Sequence, residues 1–364
     1  MEEKKAARNG FMDVMRLGFA GLLIMYHFYY SGQKHFPGGA FGVEFFTILA
    51  GFLMFSAWDR HHVSEQPLDE RQRYWLGYMK KRYVRFFWYG LPAFIFTFLV
   101  IRIWRDNICD IAGVSDMLSK DIWEVLLIKM NGLNRGNGVL NAPAWTMSCM
   151  LFSEFFILGM LTFAGKQFLA FLLPLSLIFC VGYWANNYTG MGECSAFFTI
   201  GMLRIYILTC LGIFSYWICK KMKATHFSRT GRWTLTILEL LGYTICVLIM
   251  LHRKGIYYQL CFSLTIMMIV AVSFSGKSFA GSILPANGLT NFCAELSLNL
   301  YLSHWPIVAA FRHIFKDVDD LYRQKFIFLC CALAAALAYT YIMRGVFKLL
   351  PIIKEKLRSV MLEE

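Results

Sequence analysis

The sequence predicts an all-α, polytopic membrane protein with about ten transmembrane helices, and three observations lead there. Of 364 residues, 58% are hydrophobic and only 16% are charged; soluble domains sit nearer ~45–50% apolar and ~25% charged. The mean hydropathy is +0.50, and a soluble chain of this length needs far more polar surface to cover its core. The apolar residues also fall into separate runs of about 20, the length that crosses a hydrocarbon layer. A soluble enzyme, a disordered chain and a disulfide scaffold are excluded.

The runs begin near Phe11, Ala40, Val84, Ala144, Gln167, Ala196, Leu235, Ile256, Asn291 and Phe326. No internal repeat is visible, so residues 1–364 are read as one domain: a membrane-spanning core over 11–346 and a cytoplasmic tail over 347–364. Lys4, Lys5 and Arg8 precede the first run in the manner of a signal peptide. That run contains Asp13 and Arg16 and lacks a small-residue cleavage site, which makes it a retained first span.

The net charge of +13 follows the loops rather than a single patch, which argues topology and not nucleic acid. One side receives Lys4, Lys5 and Arg8, the stretch Arg60 to Arg85, the group Lys220 to Arg232, and Lys348, Lys354, Lys356 and Arg358. With ten spans, both termini are expected in the cytoplasm. The opposite side carries a long segment, Asp106 to Pro143. Ser115 is expected there to cap an interfacial helix with Leu118, Ile122, Val125, Leu126 and Ile128 on its apolar face. A polar Gly/Asn loop, Asn131 to Gly138, follows it. Asn187-Tyr188-Thr189 is a glycosylation sequon on another outer loop. The 11 cysteines are scattered, without CxxC spacing, and no metal site is expected.

Charges inside spans are costly and mark either pairing or function. Arg16 and His27 lie on nearly one face of the first helix, ~16 Å apart along its axis. They either line a cavity, or Arg16 snorkels and pairs with Asp13 while His27 is a core histidine. Glu44, in Gly42-Val43-Glu44-Phe45-Phe46, either orients His27 or stays protonated against lipid. Arg82 and Arg85 share a face of the third helix, and guanidinium forks so placed suit a phosphate-rich ligand or simply anchor the span. Ser297, Tyr301 and His304 share a face of the ninth span, as helix glue or as the lining of a site. Glu154, Arg204 and Glu295 are intramembrane charges to which the sequence assigns no partner.

Taken together, Arg16-x10-His27, Gly42-Val43-Glu44-Phe45-Phe46, Arg82-x2-Arg85 and Tyr301-Leu302-Ser303-His304-Trp305-Pro306 resemble the membrane-bound acyltransferase family 3, in that family's order and over most of the chain. The resemblance implies ten helices, an acyl-coenzyme A donor (acetyl-CoA foremost) reached from the cytoplasm, and a glycan or lipid-linked sugar hydroxyl as acceptor on the outer side. It further implies a multi-pass protein of a bacterial-type plasma membrane. Arg16, Arg82 and Arg85 stand where the family's donor-binding or structural arginines stand, and His27 where its essential histidine stands. His27 is then the expected base or acyl carrier, with Glu44 its orienter and Tyr301 and His304 lining the site. Four departures accompany the match. Glu44 replaces the common Asp, Ala50 replaces the usual Ser before Gly51, and the acid expected soon after Trp145 comes only at Glu154. The extracytoplasmic esterase-like domain of many relatives is lacking, so a separate partner is a candidate to finish the transfer. The rival function is a transporter or flippase for a lipid-linked sugar, although no half-repeat supports it; an inactive scaffold is a third.

Overall fold

The computed structural model describes residues 8–30, 33–34, 36–126, 140–187, 199–314 and 321–360. The Asn131–Gly138 loop, Tyr188 and Thr189 of the sequon, Lys4, Lys5 and Ile128 fall outside them.

Each of the ten apolar runs becomes a helix. The first, α1 (Gly10–His27), starts on Asn9, whose side chain accepts the Met12 N–H at 3.1 Å and so satisfies one of the orphan donors of the first turn. It is followed by a two-residue antiparallel pair, β1 (Tyr29–Tyr30) with β2 (Gln33–Lys34). Next come α2 (Gly42–Arg60), α3 (Leu68–Phe98) with a π-helical continuation over Leu99–Arg105, and the short α4 (Ile111–Asp121). Then α5 (Trp145–Gln167) leads through π-helical turns at Phe168–Leu172 into α6 (Leu173–Asn187). The remainder is α7 (Ile200–Ala224), α8 (Arg229–His252), α9 (Ile256–Ser275), the single turn α10 (Ala280–Ile283), α11 (Gly288–Ile314) and α12 (Leu321–Val360).

Eight of these helices are long and apolar enough to cross a membrane. The two runs outside that set are α1 and α11, which carry Asp13, Arg16 and His27, and Glu295, Ser297, Asn299, Ser303 and His304. They pack extensively on each other, while Asn299 of α11 turns to α12, donating to Thr340 Oγ1 at 2.8 Å.

The centre of the bundle is α2 against α7. Their backbones meet at glycine: a Cβ on Gly51 would collide with the Thr209 carbonyl, and one on Gly212 with the Ile48 carbonyl and the Phe52 nitrogen. Small residues at a crossing allow that approach, which supplies dispersion contact where lipid supplies no hydrophobic drive. The periphery has the opposite character. Phe171 of the π-helical turns, Ile178 and Phe179 of α6, and Ile237, Leu241 and Leu248 of α8 lie exposed as apolar side chains, as bilayer-facing helices require.

The outer segment differs from expectation at its start. α4 begins four residues before Ser115, because Asp110 accepts the Gly113 N–H at 2.8 Å and caps the helix first. Leu118 and Ile122 are exposed, whereas Val125 is buried in a cluster with Phe94 and Phe98.

Candidate functional site

Two helices, α1 and α3, bring the predicted arginines to one place. A cavity of about 240 Å³ lies between α1, α2, α3, α5 and α11, and Arg16, Arg82 and Arg85 all line it. Ser297 and Tyr301 contribute from α11, Thr146 from α5, and Ala50 from α2. The i, i+3 spacing of Arg82 and Arg85 aims both forks the same way, but their surroundings differ. Arg82 is clasped by Glu154, Nε to Oε2 at 2.9 Å and Nη2 to Oε1 at 2.7 Å, with the carboxylate only 1% exposed. That fork-to-fork pair compensates two buried charges. Glu154 thus has the partner the sequence left unassigned. Arg85 is exposed and lies over the Tyr89 ring at 5.8 Å, with no ion pair among the described residues.

Arg16 is between these cases. Asp13, one turn back, is 3.6 Å from its Nη1, and the same carboxylate receives Arg8 Nε at 2.8 Å. The Arg16 Nε–H is buried without a hydrogen-bond partner. A buried, unmet donor beside a cavity is costly unless something fills that cavity.

At the other end of α1, His27 is partly buried in a group of rings. Its imidazole is 5.2 Å from that of His304, at 32°, and 5.5 Å edge-on from Trp305. The backbone of α11 explains this corner. Pro306 has no N–H for the carbonyl of Leu302, four residues earlier, and Asn141 Nδ2 donates to that carbonyl at 3.2 Å instead. Asn141 is itself positioned by Glu124, whose buried carboxylate accepts the backbone N–H groups of Leu140 and Asn141. His304 is fully buried, and its Nδ1 is 2.8 Å from the Tyr301 carbonyl. A carbonyl only accepts, so Nδ1 carries the hydrogen, and in the neutral ring Nε2 holds the lone pair. That Nε2 has no partner.

Tyr301 connects the two ends. It lines the arginine cavity, its ring is 6.1 Å from His304, and its hydroxyl bonds Thr146 Oγ1 at 2.7 Å and the Pro143 carbonyl. Hence Arg16, Arg82, Arg85 and Tyr301 share the cavity, and His27 and His304 form the ring group one turn beyond it.

Glu44 belongs to neither. It is wholly buried, with Oε1 accepting from Arg204 Nε at 2.8 Å and from Gln259 Nε2, while Oε2 is unpartnered. The expected orienter of His27 therefore faces Arg204 rather than His27 or lipid. The third unassigned charge, Glu295, takes Arg344 Nη2 at 2.8 Å. Sequence reasoning missed Asn141, Thr146 and Glu124 as parts of the site. A signal was present for the first: the Pro in Ser303-His304-Trp305-Pro306 frees a carbonyl that must find a donor. Among the described residues, no group of His, Cys, Asp and Glu has the arrangement of a metal site.

This geometry can be set beside known proteins. Among curated proteins and among solved structures, no match to the chain is found. The family model for the acyltransferase domain, family 3, matches residues 9–345, which takes in both ends of the site, and the chain belongs to that family.

Proposed function

We propose that this membrane acyltransferase moves an acyl group, acetyl foremost, from a cytoplasmic acyl-coenzyme A to a hydroxyl of an exported or surface glycan, in the plasma membrane of a bacterial-type cell. The observation that carries the reading is the buried, unmet Nε–H of Arg16 in a cavity it shares with Arg85. Cationic forks facing an enclosed, partly apolar space suit an anion with an apolar arm. At about 240 Å³, the cavity is smaller than the ~300–1,000 Å³ of sites for drug-sized ligands. It therefore takes the arm of the donor, with the nucleotide at the mouth and the thioester reaching on along α1 toward His27. Arg85 and Arg16 hold donor phosphates or the polar groups of that arm, and Arg82 is held in place by Glu154.

His27 is the general base. As the acceptor oxygen bonds the acyl carbon, its proton passes to the His27 imidazole. The tetrahedral intermediate then collapses, the C–S bond breaks, and His27 returns the proton to the departing sulfur. His304, beside it, offers a buried lone-pair nitrogen that favours one orientation of the His27 ring.

Vesicles carrying the wild-type protein or His27→Ala, given labelled acetyl-coenzyme A on the cytoplasmic face, test the reading. Label is expected in the glycan or lipid-linked sugar fraction with wild type, and a loss of about 10²–10⁴-fold in the variant, the range for a positioned base. Equal labelling by both proteins would reject His27. The absence of label with both acetyl and succinyl donors would instead favour a transporter.

A further inference from the structure

A second cavity, of about 250 Å³, lies at the far end of α1 from the arginine cavity and is unused by the reading above. Arg105, Trp305, Val308, Ala309, Arg312 and His313 line it. Its wall touches the ring group twice. The Trp305 ring stands edge-on to His27 at 5.5 Å, and Arg312 Nη2 donates to the His27 backbone carbonyl at 3.1 Å. The Trp305 ring is thus shared between this cavity and the His27 imidazole.

The lining has one clear chemical character. Two guanidinium groups and an imidazole face a space floored by Val308 and Ala309 and flanked by an indole, and among the described residues no carboxylate lines it. Asp106, next to Arg105 in the chain, is already engaged, taking Arg105 Nε at 2.8 Å and Arg102 Nη1 at 3.2 Å. Partial burial pushes the Asp106 carboxyl up, and the two arginines outweigh it and hold it below the usual carboxylate range. The Asp106 bond uses only the Nε–H of Arg105, and a guanidinium has five N–H donors. The π-helical stretch Leu99–Arg105 ends at this wall and sets where Arg105 points; such irregular turns recur at functional sites. His313 is braced by Trp104, edge-on at 5.3 Å.

We propose that this cavity is the acceptor subsite and that it takes an acidic sugar, a hexose ring bearing a carboxylate or phosphate. The apolar face of the ring lies on Trp305, the acid lies between Arg105, Arg312 and His313, and a hydroxyl is presented toward His27. Its catalytic meaning rests on the acyl-transfer reading; its binding chemistry does not.

The test is saturation-transfer NMR on the purified protein in phosphatidylcholine nanodiscs, without acyl donor, using glucuronic acid, glucose 6-phosphate and glucose as probes. Transfer is expected to both acidic sugars, with a signal at least fivefold weaker for glucose. Arg105→Gln is expected to weaken glucuronic acid binding about tenfold, the loss of one charge-assisted bond. If that variant does not fold, Arg312→Gln supplies the same comparison. Equal transfer to glucose and glucuronic acid, or wild-type binding by a correctly folded Arg105→Gln, would overturn the proposal. Displacement of glucuronic acid by phosphatidylglycerol in the disc, with no displacement by excess glucose 6-phosphate, would also overturn it, by giving the site to a lipid headgroup. Binding of acidic sugars by a protein that transfers no acyl group in vesicles would sink the enzyme reading and leave this site standing.

Discussion

The arginine cavity and the imidazole group share two helices, α1 and α11, yet they deal with buried polarity in opposite ways. In the cavity, charge is answered by charge. Glu154 takes both arms of Arg82 and Asp13 approaches Arg16, leaving Arg85 as the lining arginine with no ion pair among the described residues. In the ring group, one nitrogen of His304 is tied to its own helix and the other is left open in a fully buried place. The first arrangement suits holding an anion, whose arrival completes an electrostatic set. The second suits proton handling, where a lone pair must stay unspent. The contrast also separates residues that hold the site together from those that act in it, and three substitutions press on that separation.

The largest effect is expected from Glu154→Gln. It leaves Arg82 buried beside a group that no longer carries charge, and removing one member of a buried pair costs about 3–5 kcal/mol. Thermal unfolding in detergent should show a marked fall in Tm. An unchanged Tm would mean that Arg82 does not depend on Glu154. Arg85→Gln, three residues further along the same helix, should leave Tm where it was and raise the donor KM tenfold or more, as the loss of about 1.5–3 kcal/mol of charged hydrogen bonding requires. A donor KM equal to wild type would remove Arg85 from the donor site. The smallest effect is expected from His304→Asn. The amide keeps a donor toward the Tyr301 carbonyl while the Nε2 lone pair is lost. We expect kcat to fall about tenfold, some 1.4 kcal/mol, with donor KM and Tm held. A parallel loss in Tm would make His304 a packing residue.

The fold was largely legible in the sequence because a membrane helix is a local object. Twenty apolar residues declare it, and the ten runs from Phe11 to Phe326 each form a helix, eight of them long and apolar enough to cross a membrane. The arginines were legible through spacing within single helices, Arg82 to Arg85, and through the family's motif order. Pairings across the bundle were not. Glu154 and Arg82, Glu44 and Arg204, and Asn141 and the Leu302 carbonyl lie 72, 160 and 161 residues apart. No helical period connects them; they follow from how the helices stack. That is why the sequence leaves Glu44 between orienting His27 and facing lipid, when Arg204 meets it in space. The start of α4 was misjudged for a simpler reason: Asp110 and Ser115 are both good caps, and the chain used the first.

The glycine contact between α2 and α7 bears on how the protein moves. Two helices whose backbones touch at Gly51 and Gly212 cannot slide without driving a carbonyl into a neighbour, so they travel as one rigid body. On the proposed reading, a donor entering the arginine cavity would displace the opposite wall instead. There α3 runs into π-helical turns at Leu99–Arg105, and α5 breaks at Gly165, where φ is +51°, before the π-helical turns at Phe168–Leu172. Those breaks in the helical ladder are where that wall can bend. A covalent cross-link joining α2 to α7 should leave turnover intact, whereas one joining α3 to α5 should stop it.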